Sequence, residues 1–322
     1  MQRFGLTGLS LAALILAGCD ASMTVSTSND GTNEYSIAAE ASGENVRTHM
    51  TFLAQDFLEG RDTGTRGYEI ARHYVASQYK LLGLKPGGDD GTYFQAVPLM
   101  KANTLDQGHS MQIARDGNMQ DLTFREDYLP GTSFGEATRS HSADVVFVGY
   151  GITAPELSHD DYDDLNVEGK IVAMLPRAPA NFPNDQRAYY SSNAVKAQNA
   201  LDRGAAGIIG LWTPEQEAVF SWDRVNEAVW DPAFRWVDNA GNAFNGFPEL
   251  VFAGTLSTDG ASKLFAMAEL DYLEHIGRAE AGEHVSTQLP VSLSVSNQSA
   301  QEIIDSHNVV AVLEGSLHRQ LR

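Results

Sequence analysis

From Glu44 onward apolar residues recur at helical spacing: Val46, Met50, Leu53, Ala54, Phe57 and Leu58 share one face and predict a helix. The stretch EGRDTGTRG (Glu59 to Gly67) interrupts it. A second helix is expected with Ala71, Tyr74, Val75, Gln78 and Leu82 on one side. It should stop at Gly83 in a Schellman-type cap, with Pro86 just beyond. The period then changes to two. In GTYFQAVPL, Tyr93, Gln95 and Val97 alternate against Phe94 and Ala96, which predicts a short strand. Residues 101–140 are polar and predict two or three edge strands and loops.

Two apolar runs, ADVVFVGYGI (Ala143 to Ile152) and GKIVAMLPR (Gly169 to Arg177), predict buried strands. Asn193 to Trp212 reads as a helix, a cap at Gly204 and a third strand from Gly207. Strand, helix and strand in that order imply a local α/β layer. The segment 213–250 carries Phe220, Trp222, Trp230, Phe234, Trp236, Phe244 and Phe247 without a clear period. It is expected to be an aromatic-rich loop insertion, with a local core favoured over a binding surface. Phe247 to Gly254 predicts a strand, Ser257 to Gly277 one capped helix, and Leu289 to Asn297 a half-buried strand. After a short polar link, Asn308 to Leu313 predicts a buried strand, with Glu314 and Gly315 as its turn. No internal repeat is visible.

With 43% hydrophobic and 9% aromatic positions over 322 residues, the chain is globular and long enough for two domains or one large one. The formal net charge of -20 argues against nucleic acid and anionic lipid surfaces as partners; solubility or a salty habitat is favoured as its reason over an acidic binding surface. The opening MQRFGLTGLSLAALILAGCDAS has one cation, Arg3, and an apolar run from Leu9 to Ala17, a secretory signal too short to span a bilayer. Leu16-Ala17-Gly18-Cys19 resembles a bacterial lipobox, which implies cleavage before Cys19 and a lipid on its thiol. The partner there is the lipid bilayer, and the location the cell envelope, facing the periplasm or the exterior. Asp20 resembles an inner-membrane retention signal. Cys19 is the sole cysteine, so the chain can form neither an intrachain disulfide nor a cysteine cluster for zinc. Residues 21–43 are rich in Ser, Thr, Asn and Gly and read as a tether.

The residues themselves display little chemistry. The nine histidines (49, 73, 109, 141, 159, 275, 284, 307 and 318) include no pair three to five apart, and no HExxH occurs, so no metal site is visible. SHDDYDDLN places Asp160, Asp161, Asp163 and Asp164 together but lacks the Gly and terminal Glu of an EF-hand loop, so a solvated acidic turn is favoured. GTSFG (Gly131 to Gly135) matches the nucleophile-elbow pattern at Ser133. Neither an apolar strand before it nor a helix after it is expected, which counts against Ser133 as a nucleophile. GYGITAP is followed by acids that would repel a phosphate.

Several segments taken in order resemble one family. Phe52 to Leu99 is similar to the opening of bacterial di-zinc aminopeptidases: Gly60-Arg61, Gly64-Thr65, Leu82-Gly83-Leu84 with Pro86, then Tyr93 and Gln95. VVFVGYGITAPELSHDDYDDLNVEGKIVAMLPRAP and KAQNALDRGAAGIIGL resemble the protease-associated domain inserted in many of these enzymes, and SHNVVAVLEGS the strand leading back. The resemblance implies a mixed α/β fold. A helical segment would begin a zinc-exopeptidase domain, followed by an inserted β-rich protease-associated domain, with most of the catalytic sheet missing. The implied divisions are a signal peptide (1–18), a tether (19–44), the N-terminal part of the peptidase domain (45–135), the protease-associated domain (136–300) and a returning strand (301–322).

In the family, two zinc ions polarise the scissile carbonyl and activate a bridging water, while a Glu moves protons. The next strand of the family carries His-x-Asp. Here LHRQLR follows, and His318 lacks that context, so no metal or catalytic residue carries over. No cofactor is expected in this chain, and two zinc ions are expected in a complete family member. The 322 residues are therefore expected to be inactive alone, as a fragment of an exported aminopeptidase acting on peptides. The alternative is a non-catalytic lipoprotein whose protease-associated domain binds peptides or a partner protein. A separately encoded catalytic half is a third course. Arg61 would either sit in a structural ion pair or brace the catalytic pocket.

Overall fold

The computed structural model describes residues 20–21 and 41–315, so the signal segment, Cys19, most of the tether and His318 lie outside the described residues. The fold is mixed α/β. Its chain divides into two compact units, Met1–Gln95 with Asn308–Arg322, and Ala96–His307.

In unit 1, β1 (Asp20–Ala21) pairs antiparallel with β2 (Ala41–Ser42). Next comes α1 (Gly43–Leu53), where the Ser42 hydroxyl accepts the Asn45 N–H at 3.3 Å as an N-cap. A 3₁₀ turn, Asp56–Arg61, leads to α2 (Arg66–Leu81), capped by Thr65. A Cβ at Gly67 would lie 1.6 Å from the Leu58 carbonyl oxygen, so the turn can approach α2 only because position 67 is glycine. The helix ends as a Schellman motif: Leu84 N–H donates to Tyr79 O and Gly83 N–H to Lys80 O, both at 3.1 Å. β3 (Lys85–Pro86) follows. The apolar face of α1 exists but is not covered, with Val46 54% and Met50 64% exposed and no buried residue in the helix.

Unit 2 is built on a ten-stranded sheet. Its first strands are β4 (Phe94–Thr104), β5 (Ser110–Arg115), β6 (Asn118–Asp121) and β7 (Tyr128–Pro130). The polar region 101–140 is therefore more than edge strands and loops: Met111 and Ile113 of β5 reach the core, and β5 pairs with both β6 and a long later strand. β8 (Thr138–Phe147) opens a parallel layer with β11 (Ile171–Met174), after the small hairpin β9 (Thr153–Ala154) and β10 (His159–Asp160). Helices α3 (Asn184–Tyr190) and α4 (Asn193–Leu201) cross to β12 (Gly207–Leu211), which is parallel to β11.

Segment 213–250 is not an unstructured loop. It contains α5 (Pro214–Val219), α6 (Trp222–Ala228) and β13 (Ala233–Trp236), the last pairing antiparallel with β4. β14 (Val251–Leu256) adds to the parallel layer beside β12. The single helix expected over 257–277 is two, α7 (Thr258–Met267) and α8 (Tyr272–Glu280). Glu269, at φ +60, breaks the run, and the Asp271 side chain caps the second helix.

The expected link before the last strand is itself strand: β15 (Thr287–Val309) runs for 23 residues. Its alternation buries Leu289, Val291, Leu293 and Val295, then Asn297 and Ser299, so polar residues continue the inward face. Asn297 Nδ2 donates to Phe252 O at 3.1 Å and Ala253 O at 3.0 Å, which satisfies its buried amide. Beyond it, β16 (Ala311–Val312) pairs with β3, and this end is not buried: Leu313 is 82% exposed.

The sheet order is β13-β4-β15-β8-β11-β12-β14-β7, with β5 and β6 alongside β15. One face packs on α7 and α8 through Phe147, Phe265, Tyr272 and Ile276; the other packs on α4 through Val146, Val172, Ala197 and Ala200.

Candidate functional site

Open α/β sheets bind ligands beyond the carboxyl ends of their parallel strands. Here the chain leaves β8 through Gly149-Tyr150-Gly151 and β11 through Leu175-Pro176-Arg177. The first turn wraps a buried carboxylate: Asp161 Oδ2 accepts the Ile152 N–H at 3.0 Å, and a Cβ at Gly149 (φ +52) would meet Asp161 Oδ1 at 2.9 Å. His159 Nε2 lies 3.1 Å from the same carboxylate, close but off the hydrogen-bonding direction. Asp160 is tied to Thr153 Oγ1 and the Tyr162 N–H, at 2.9 and 3.0 Å. The acidic run is therefore folded partly inward rather than wholly solvated, while Asp163 and Asp164 stay exposed.

Two clefts flank Tyr150. One, of about 470 Å³, is lined by the acidic turn with Glu283 and His284. The other, of about 370 Å³, is lined by Arg177, Arg187, Glu215 and Glu280, with Arg177 Nη1 donating to Glu215 Oε1 at 2.8 Å. Burial, then the negative charges of Glu280, Asp161 and Glu215, push the Tyr150 phenol up to about 12. Behind it stands Lys196, 1% exposed, whose Nζ donates to the carbonyls of Leu175 (2.9 Å) and Arg177. Burial lowers this lysine to about 7, against a smaller opposing pull from Asp161. It braces the turn after β11, in which Arg177 holds φ +58.

Ser133 does follow an apolar strand, β7, contrary to expectation, but the chain after it runs into β8 and no helix follows. Its Oγ accepts the Gly135 N–H at 3.2 Å, and its own N–H donates to Ser299 Oγ at 3.0 Å. Neither of these two bonds brings a base to the Ser133 hydroxyl. Arg61 is exposed, at φ +58. Cys19 lies outside the described residues. Among the described residues no three His, Cys, Asp or Glu side chains converge as metal ligands.

A feature the sequence concealed lies within unit 2 beside β13. A cavity of about 590 Å³ is walled by Phe134, Ile208, Phe244, Phe247, Leu250 and Phe252, with Arg235 as its sole charged lining residue among the described residues. The aromatics of 213–250 do not form a buried core of their own: Trp236 is 49% and Phe244 59% exposed. Arg235 between Phe234 and Trp236 was the available signal. No protein-family model matches the chain, and no curated protein matches it in sequence.

Proposed function

We propose that this chain is the leading part of an exported zinc-dependent aminopeptidase, with unit 2 as the inserted protease-associated domain and unit 1 as the start of the catalytic domain. The observation that carries this reading is the division of the chain. Unit 1 is split between Met1–Gln95 and Asn308–Arg322, and it is joined by the pairing of β3 with β16. A self-sufficient unit sits between its halves in the sequence.

Uncovered apolar side chains in unit 1 add support: Phe57 is 57%, Leu81 79%, Leu82 72% and Leu313 82% exposed. Such surface is normally removed from water by further packing. The described residues do not fit a zinc pair, since no ligand set converges among them. In this reading the metals and the general base belong to other segments, and the 322 residues do not hydrolyse peptides alone.

The test is to read the DNA past codon 322 in all three frames for His-x-Asp on an apolar strand, and to assay the chain with zinc on aminoacyl-p-nitroanilides. A His-x-Asp strand within a few dozen codons and no hydrolysis are the expected results. Absence of that strand sinks the reading. The open cavity of unit 2 then favours the second one, a lipoprotein anchored through Cys19 that binds peptides or a partner protein.

A further inference from the structure

We infer that the cavity beside β13 is a binding site for a small apolar carboxylate, a molecule with an aromatic or branched aliphatic body and one anionic head. Such a site needs only unit 2 and goes beyond the peptidase reading.

The body follows from the wall. Four phenylalanines, Phe134, Phe244, Phe247 and Phe252, converge with Ile208 and Leu250 on a space of about 590 Å³, within the range of small-molecule pockets. Phe244 and Phe252 are left 59% and 46% exposed, so an apolar guest would remove their rings from water.

The head follows from charge. Among the described residues no Asp or Glu lines this cavity, although the chain carries 42 acidic residues against 22 basic ones. Arg235 stacks its guanidinium over the Phe134 ring at 4.7 Å and gives one donor to the Phe234 carbonyl at 2.9 Å. No acid pairs with Arg235 among the described residues. A guanidinium has five N–H donors in a planar fork that matches a carboxylate, and Arg235 lines the cavity while exposed, so donors not used within the protein are accessible to a guest's head. One cation suits one carboxylate. A phosphate-rich ligand would need more positive charge to overcome the net charge of -20.

The loop that presents the rings is held out of its relaxed conformation. Asn245 (φ +51) and Phe247 (φ +44) both occupy the left-handed region, and Arg139 fastens the following residues through the carbonyls of Pro248 and Leu250.

The test is calorimetric titration of the full chain with N-acetyl-leucyl-phenylalanine, its C-terminal amide, and decanoate. At least one of the two acids should bind saturably, and Arg235→Met should weaken that acid by about tenfold or more. If the dipeptide acid binds, its amide should be weaker by a similar factor. Binding of the dipeptide acid alone assigns the head to a peptide terminus, decanoate alone to a fatty acid, and both support the shared chemistry. The inference is overturned by equal binding of dipeptide acid and amide, by wild-type affinity in Arg235→Met, or by no saturation with either acid at millimolar concentration. Arg235→Lys, which keeps the charge, should retain part of the affinity and guards against loss through misfolding. Failure here leaves the peptidase reading untouched, because that reading is decided by the DNA and the zinc assay.

Discussion

Unit 2 and unit 1 contain the same kinds of residue and use them differently. In unit 2 the apolar face of each element meets another face: Phe265 of α7 is fully buried, with its ring 5.2 Å from Phe147 of β8 and 5.1 Å from Tyr272 of α8. In unit 1 the helices are as well capped, yet α1 buries nothing and α2 buries only Gly67 and Ala76. Capping and periodicity make a helix; only a partner surface makes a core. Unit 2 therefore supplies its own stability, whereas unit 1 holds its shape with much of its apolar surface in water.

That contrast is broken most directly in the core of unit 2. Phe265→Ala should cost about 3–5 kcal/mol, the usual range for deleting a buried ring, and urea denaturation of the full chain measures it. A loss below 1 kcal/mol would mean that the sheet and α7 are not a cooperative unit. Asp127→Ala should come next, at about 1–3 kcal/mol. The Asp127 carboxylate is buried, accepts the Thr123 N–H at 2.9 Å and receives Lys263 Nζ at 2.7 Å, so its removal deletes the charge-assisted bonds that tie the turn after β6 to α7. A wild-type midpoint in Asp127→Ala would show that solvent replaces both bonds.

How far this division could be read in the sequence depends on where each element finds its partners. The β11-α4-β12 unit was legible because its strands are β-branched runs buried on both faces and Gly204 (φ +74) marks the turn. The Schellman stop at Gly83 was legible because a cap is written within a few residues. β15 was missed beyond Asn297 because its inward positions turn polar, and only the amide bonds of Asn297 to Phe252 and Ala253 show that they are satisfied. Helices α5 and α6, with six and seven residues, are too short to establish a period, so 213–250 read as a loop. The cavity at Arg235 draws on β13, α4, β12 and β14, a convergence that spacing along the chain cannot show. Tyr150 and Lys196 were likewise invisible, since a lysine on an apolar helix face becomes informative only when the carbonyls of Leu175 and Arg177 are seen around it.

Lys196 gives the third test, and it belongs to unit 2 alone. Its folded value of about 7 lies below the ordinary 10.5. Between these values the unfolded chain holds the proton and the folded chain does not, so stability rises with pH. The penalty is complete below about 7 and relieved toward 10.5. Its largest slope is about 1.4 kcal/mol per pH unit. Urea midpoints from pH 7 to 9.5 should therefore climb in the wild type relative to Lys196→Met. Parallel profiles for the two proteins would show that the amine stays charged when folded, held by its two carbonyls.

The smallest effect is expected in unit 1, and it sharpens the comparison because its absence is informative. Val46→Ser with Met50→Ser removes two apolar side chains from the open face of α1, which are 54% and 64% exposed. Exposed positions of this kind change stability by about 0.5 kcal/mol or less, so the unfolding midpoint should barely move. Binding of a hydrophobic fluorescent dye to the full chain should fall, since less apolar surface meets water. A cost of several kcal/mol would say the opposite: in solution that face is covered, by a second copy or by chain outside the described residues. Unit 1 would then be a packed domain like unit 2, and the difference between them would lie in what each is packed against.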